Sequence, residues 1–421
     1  MQRPAPDHPF RAMIHAEMHA RPVMPITAPV RVRRAAFISS RDGRDIPKVQ
    51  QRIIAWLTER HAAPADVSIR QYSVEAGGHG VTFELHSEFV TITWTSAPDD
   101  WEAWPDNIGL ELFGDLELIS ATRLDLANAD TIAPSALAGF NPLSLCYSDI
   151  FHGSAQVATD FVADENGFTR FEVAAARGTD LRRGTMVRRL LEIETYRNVA
   201  LMGLPIARSL GPRLHSDEMQ LAEVMRQIGE DRAGRDNQMR DNQAALNTLH
   251  DLSIAVGQTV DETSFRFAAS RAYGGVLKSR IGRLDEVAIG EFTTIERYLD
   301  NRVGPALTTC TAVERRLEAL ANKLQRSTEL LDARIGLSIE TQNQAVLDNI
   351  SRTSLSQYKL QETVEGLSII AISYYTLAIL GYLLEGLHSV VNVDKNLAEA
   401  IAAPFVVLLV WLAIRRIRRG K

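Results

Sequence analysis

The chain has 421 residues, 45% hydrophobic and 23% charged, enough for two or three units of ordinary domain size. A formal net charge of −6, with no long basic block outside the C-terminus, argues against a nucleic-acid groove, which needs clustered Lys and Arg. Cys146 and Cys310 are the only cysteines and lie far apart, so neither a disulfide framework nor a zinc site is indicated.

Residues 1–29 are proline-rich around a short helical piece, 11–18, and are expected to wrap the domain that follows. No apolar run of signal-peptide type opens the chain. In His15-Ala16-Glu17-Met18-His19 the histidines sit four apart, as on a zinc-protease helix. Glu17, however, stands two places after His15 rather than one and points to roughly the opposite side, so a surface or capping role is the better reading.

From Arg31 the pattern alternates, predicting a strand with Val32, Ala36 and Ile38, followed by an amphipathic helix over 46–60. Residues 67–76 and 81–95 read as a hairpin about Gly77-Gly78-His79-Gly80. Further strands are expected over 116–127, 154–163 and 167–175. Together these predict an α+β domain over 30–178, one sheet with helices packed on it.

In Phe83-Glu84-Leu85-His86-Ser87-Glu88-Phe89, a period of two puts Glu84, His86 and Glu88 on one face. Two carboxylates flanking an imidazole form a candidate metal or acid–base cluster, and a divalent metal is the one cofactor it would admit. Half-exposed antiparallel strands normally alternate in this way, so a solvated sheet face is the competing and simpler reading.

After Gly178 the pattern is helical, a region taken as 179–303. One helix is expected over 181–209, broken at Pro205 and Gly211-Pro212. A second is expected over 214–256, with a polar middle at 229–243, and a third starts at Asp261 as N-cap and ends near Arg302. Gly304-Pro305 is expected to open the last and longest helix, the stalk over 304–365. Its Val313, Leu317, Leu320, Leu324 and Leu331 follow the heptad seam of a coiled coil. A continuous helix over 305–384 would be about 120 Å long. Asn343, Asn349, Ser354, Gln357, Gln361 and Ser368 are read as a polar stripe, pore-lining if several copies surround an axis.

Residues 366–384 carry no charge, lie between Glu365 and Glu385, and have the length of about 20 residues needed to cross hydrocarbon. A polar external loop, 385–399, leads to a second apolar run, 400–414, and a basic tail, 415–421. This predicts a two-helix transmembrane hairpin. Arg415, Arg416, Arg418 and Arg419 follow the second span, whereas the turn offers only Lys395, so both termini are expected in the cytoplasm and the hairpin in the inner membrane. The lipid bilayer is the expected partner, with self-association and without nucleic acid.

Several stretches resemble a bacterial family of uncharacterised membrane-anchored proteins, the domain of unknown function numbered thirty-four twenty-two. They are His19-Ala20-Arg21-Pro22 after Glu17, Glu84 to Phe89, Glu192-Ile193-Glu194-Thr195-Tyr196-Arg197 with Leu204-Pro205-Ile206-Ala207-Arg208, and Leu360-Gln361 with Thr363-Val364-Glu365-Gly366-Leu367-Ser368 through Tyr374-Tyr375. Phe83 stands where the family pattern has tryptophan. The resemblance implies a membrane anchor and no established activity. The order of cytoplasmic α+β domain, long helix, short loop and basic C-terminus is also similar to CorA-type magnesium transporters. The Gly-Met-Asn of those transporters is absent from Gly381-Tyr382-Leu383-Leu384-Glu385-Gly386-Leu387-His388.

Two functional readings follow. One is a CorA-like homo-oligomer with an ion path between its first membrane helices, and the other is a sensor or scaffold domain tethered without transport. An enzyme is the least supported reading, since no nucleophile elbow or phosphate-binding loop stands out.

Overall fold

The computed structural model describes residues 7–40, 42–62, 70–230, 235–387 and 395–419. They fall into two compact units, Met1–Thr328 and Glu329–Lys421.

In the first unit, helix α1 (Arg11–His19) precedes β1 (Val30–Ile38), α2 (Ile46–Glu59), β2 (Gln71–Ala76), β3 (His79–Leu85) and β4 (Phe89–Ser96). Then come β5 (Glu117–Ala127), the short α3 (Pro134–Leu137), β6 (Cys146–Ile150), β7 (Ala155–Thr159) and β8 (Thr169–Ala174). Helices α4 (Asp180–Leu201), α5 (Gly203–Glu230) and α6 (Arg235–Gly282), the two-residue β9 (Val287–Ala288) and the start of α7 (Ile295–Leu387) complete it. The rest of α7 belongs to the second unit with α8 (Lys395–Arg419).

One nine-stranded sheet runs β2-β3-β4-β1-β5-β8-β7-β6-β9, antiparallel except between β5 and β8. Alternation decides which face each strand gives to which helix. Val81, Phe83, Ile92 and Trp94 pack with Val49, Ile53 and Leu57 of α2 on one face. On the other, Val32, Leu124, Val157 and Phe171 share a core with Leu190 and Leu191 of α4, Leu277 of α6 and Ile295 of α7. The core therefore runs straight across position 178, the expected domain boundary.

Several expected helix boundaries move, each for a local reason. The break near Pro205 lies at Met202 and Gly203, where the Gly203 N–H donates to Ser270 Oγ at 3.0 Å. A Cβ on Gly203 would stand 2.7 Å from that oxygen. Pro205 then falls in the first turn of α5, where its missing N–H costs nothing, and Pro212 lies inside α5 without breaking it. Asp261 is an interior residue of α6 rather than an N-cap. Helix α7 starts ten residues before Pro305: the Thr294 hydroxyl accepts from Arg297 N at 3.1 Å, and Glu286 accepts from Ile295 N at 3.0 Å and Glu296 N at 2.8 Å. These contacts satisfy donors that every helix start leaves open. From there α7 is continuous through the 305–384 stretch expected as one helix. The polar middle expected at 229–243 lies partly outside the described residues.

Val313, Leu317, Leu320 and Leu324 are buried within the first unit. Arg316 of α7 donates to Glu218 of α5 at 2.8 Å, and Glu314 of α7 pairs with Arg271 of α6. The heptad pattern over 313–324 is thus the seam of an intrachain helix bundle, not an exposed coiled-coil face.

Candidate functional site

Glu84, His86 and Glu88 do not share a strand. β3 ends at Leu85, and the His86 N–H closes a tight turn on Phe89 O at 2.9 Å. Neither carboxylate faces solvent, and each is met by arginines from distant elements. Glu84 is 3% exposed and accepts from Arg34 Nη2 of β1 at 3.0 Å, with Arg188 Nη2 of α4 at 3.3 Å. Glu88 is 1% exposed and accepts from Arg266 Nη2 of α6 at 2.7 Å. Burial opposes ionisation of Glu84, but Arg34 and Arg188 outweigh it and hold its pKa below the usual carboxylate range. His86 stacks on Phe89, ring centroids 4.1 Å apart, and burial pushes its pKa down to about 3 against the pull of Glu84. It is neutral at pH 7. Among the described residues, no group of three or more His, Cys, Asp and Glu side chains is arranged to hold a metal ion.

The register shows what Glu84 belongs to. Across β1, β4, β3 and β2 the residues align in three rows on the face toward α4: Ala36-Thr91-Glu84-Gln71, Arg34-Thr93-Thr82-Ser73, and Val32-Thr95-Gly80-Glu75. Threonine suits a pleated strand, and here it leaves five hydroxyls of Thr and Ser on one sheet face. Arg34 Nε donates to Thr93 Oγ1 at 2.8 Å. Beyond Glu84, Arg188 Nε donates to Glu192 Oε1 at 3.0 Å, and Glu192 Oε2 accepts from Arg280 Nε of α6 at 2.6 Å. Arg34, Glu84, Arg188, Glu192 and Arg280 form a chain of alternating charge linking the sheet to α4 and α6.

Above this floor lies the strap, residues 20–29, which wraps the sheet domain. Gln71 Nε2 donates to Pro22 O at 3.0 Å, Arg188 Nη1 to Arg21 O at 2.8 Å, and Arg21 Nη2 to Leu85 O at 2.8 Å. Ile26 N donates to Asp180 O at 3.0 Å. The strap crosses α4 at Gly184, where a Cβ would stand 1.9 Å from Met24 O. Strap, sheet and α4 wall a half-open cavity of about 430 Å³ whose lining includes Ile26, Arg34, Thr82, Thr95, Val187 and Leu191. That volume falls within the range of small-molecule sites.

A second cavity of about 350 Å³ lies on the opposite face, lined by Arg31, Arg33, Arg123, Arg170, Asp160 and Asp164. Beside its arginines, Glu172 is pushed up to about 7 by burial and by Asp125, its neighbour in the parallel register.

In the second unit, Asn343, Asn349, Ser354, Gln357 and Gln361 are exposed on α7, and Ser368 is half-buried with its hydroxyl donating to Val364 O at 2.8 Å. At about 100° per residue, five of the six lie within an arc of about 60°, and Asn349 lies about 120° from Asn343. Ile350 and Leu347 fall in or beside the same arc and are exposed. Helix α8 runs through Arg419, with the Arg415 guanidinium 4.7 Å from the Trp411 ring centroid. The helical stretches ending at Glu385 and covering Leu397–Arg416 are long and apolar enough to cross a membrane. The turn at 388–394 lies outside the described residues.

Sequence reasoning did not find Arg34, Arg188 or the hydroxyl rows. A signal for part of the cluster was available: Glu192 and Glu194 interrupt the apolar run Leu190-Leu191-Ile193, and charges there must be paired inside.

These features define a mixed α+β protein with a half-open, arginine-lined cavity and two C-terminal helices apolar enough to span a bilayer. The chain belongs to the family described as "Protein of unknown function (DUF3422)", which it matches over residues 6–420. No curated protein and no solved structure matches it.

Proposed function

We propose that the chain is a membrane-tethered sensor whose first unit binds a small molecule in the cavity under the strap. One observation carries this reading: the half-open cavity is walled by sheet, helix and strap, with a buried guanidinium in its wall. In this reading 366–384 and 400–414 cross the inner membrane as a hairpin with both ends in the cytoplasm. Arg415, Arg416, Arg418 and Arg419 then meet anionic headgroups. Replacing the hairpin by an unrelated two-span anchor tests the tether. Rescue of a deletion phenotype by the chimera supports it, and loss of rescue at equal protein level and localisation overturns it.

A second reading has its own observation. Val346, Leu347, Ile350 and Val364 are exposed on α7 beside the polar stripe, a mixed face suited to joining copies of this chain. In this reading a closed homo-oligomer surrounds an ion path lined by Asn343, Ser354, Gln357, Gln361 and Ser368. A ring in mass photometry together with liposome ion flux supports it, and a monodisperse monomer removes the axis.

A further inference from the structure

We infer that the cavity under the strap takes a small organic carboxylate with an apolar body, an inference that rests on the sensor reading above. The side chain that points to this is Arg34. It is 5% exposed, its Nε is held by Thr93 and its Nη2 by Glu84, while no acceptor among the described residues meets Nη1. Nη1 is not sealed from solvent, and a guanidinium N–H open on the wall of a cavity is free to donate to a ligand acceptor.

The neighbouring hydroxyl supplies a second donor. Thr93 Oγ1 accepts from Arg34 Nε and keeps its own proton, which no described acceptor takes. Nη1 and this hydroxyl stand together on one row of the sheet, with Thr82 next in the row. A carboxylate has two oxygens to accept from such a pair, and a charge-assisted bond to a guanidinium is the strong form of that contact.

Charge selects in the same direction. The chain Arg34, Glu84, Arg188, Glu192 and Arg280 holds three cations and two anions, one positive charge in excess beside the cavity. Arg21, which reaches toward the same group, adds to it, and its partner Glu17 is exposed. His86 is neutral, and Glu75 sits on the exposed rim, where water screens it. A monoanion reduces this excess. The other side of the cavity is aliphatic at Ile26, Val187 and Leu191, which face the hydroxyl floor. A ligand with one carboxylate and an apolar face fits both surfaces.

The test uses the full chain in lipid nanodiscs, with empty nanodiscs as control, titrated calorimetrically with hexanoate, hexanamide and hexylammonium. Hexanoate is expected to bind saturably and hexanamide at least about tenfold more weakly, the difference made by one charge-assisted hydrogen bond. Arg34→Gln should abolish hexanoate binding. Because that variant also strips Glu84 of a partner, Thr82→Phe provides an independent check: it fills the cavity from a half-exposed floor position, leaves every ion pair in place, and should abolish binding too. Hexanoate heats unchanged in Thr82→Phe would overturn the inference. Binding of hexanamide or hexylammonium but not hexanoate, sensitive to Thr82→Phe, would overturn the carboxylate class and leave the sensor reading standing. No probe sensitive to Thr82→Phe would overturn the site itself, while the tether is decided separately by the anchor exchange.

Discussion

Arg266 of α6 and Glu88 of the β3–β4 turn, 178 positions apart in sequence, form a buried ion pair, with Nη2 donating to Oε2 at 2.7 Å and Nη1 to Oε1 at 3.3 Å. Their side chains are 9% and 1% exposed. The pair fastens the hairpin to the helical layer, and burial together with the nearby Glu88 carboxylate raises the Tyr273 pKa. Removing Glu88 leaves Arg266 charged inside with only the exposed Asp42, 3.8 Å away, to pair with, and breaking a buried pair typically costs about 3–5 kcal/mol, on the order of the whole stability of some domains. Glu88→Gln is therefore expected to lower the urea midpoint of the full chain strongly. Glu88→Gln combined with Arg266→Met, which removes both charges, should recover much of the loss. A double variant no better than the single would show that the hairpin is held by something other than this pair.

His86 supplies a pH prediction. Its Nε2 is buried without a partner, and burial holds its pKa near 3, below the ordinary 6.5. Between those values the unfolded chain binds a proton that the folded chain refuses. Stability from this group is thus complete above pH 6.5 and is lost as pH falls toward 3, with a limiting slope of about 1.4 kcal/mol per pH unit. Glu84, whose pKa is also lowered, adds loss in the same direction below its ordinary 4.5. His86→Phe keeps a ring to stack on Phe89 and removes the titrating group. The expected result is unchanged or higher stability at pH 7 and a flatter decline between pH 6 and 5, read from denaturation midpoints. An unchanged acid slope would assign the decline to other groups.

How much of this was legible in the sequence depended on the range of the interaction. α2 and β5 were readable because period 3.6 or two is a local signal, and β1 because Arg31 and Arg33 alternate with Val32, although seven of its nine residues are buried. β6 was missed: four of its five residues are buried, so it shows no alternation, and the two-residue β9 offers no pattern at all. Glu84 and Glu88 looked like a solvated face or a metal cluster because their partners, Arg34, Arg188 and Arg266, come from other elements. An alternating acid reads the same whether water or a distant guanidinium meets it. The seam at 313–324 was visible as a heptad, but the sequence could not say whether its partner was a second copy or α5 and α6. The cavity had no signature, because it exists only where strap, sheet and α4 meet.

Glu286 caps α7 from outside the helix, receiving Ile295 N, Glu296 N and the Ser148 hydroxyl, the last at 2.7 Å. Burial raises its pKa, and those three donors only partly oppose the rise. Glu286→Ala leaves two helix-start donors and a buried hydroxyl without an acceptor, at an expected cost of about 2 kcal/mol. Faster amide exchange confined to the first turn of α7, with the second unit unaffected, is the expected pattern. Unchanged exchange at Ile295 and Glu296 would show that Thr294 caps the helix alone.

Glu172 acts in the opposite sense to His86. Burial and the adjacent Asp125 push its pKa up to about 7, above the ordinary 4.5, so the folded state holds a proton there that the unfolded state releases. Stability from this group is present below pH 4.5 and is lost as pH rises through 7. Glu172→Gln keeps the shape and never ionises. It is expected to leave stability unchanged at pH 5 and to raise it by about 1–3 kcal/mol at pH 8, a magnitude set by the pKa shift and reduced by partial solvent access. The two conditions separate the cause: equal stabilisation at pH 5 and pH 8 would mean that packing, not the charge beside Asp125, is what the substitution changed.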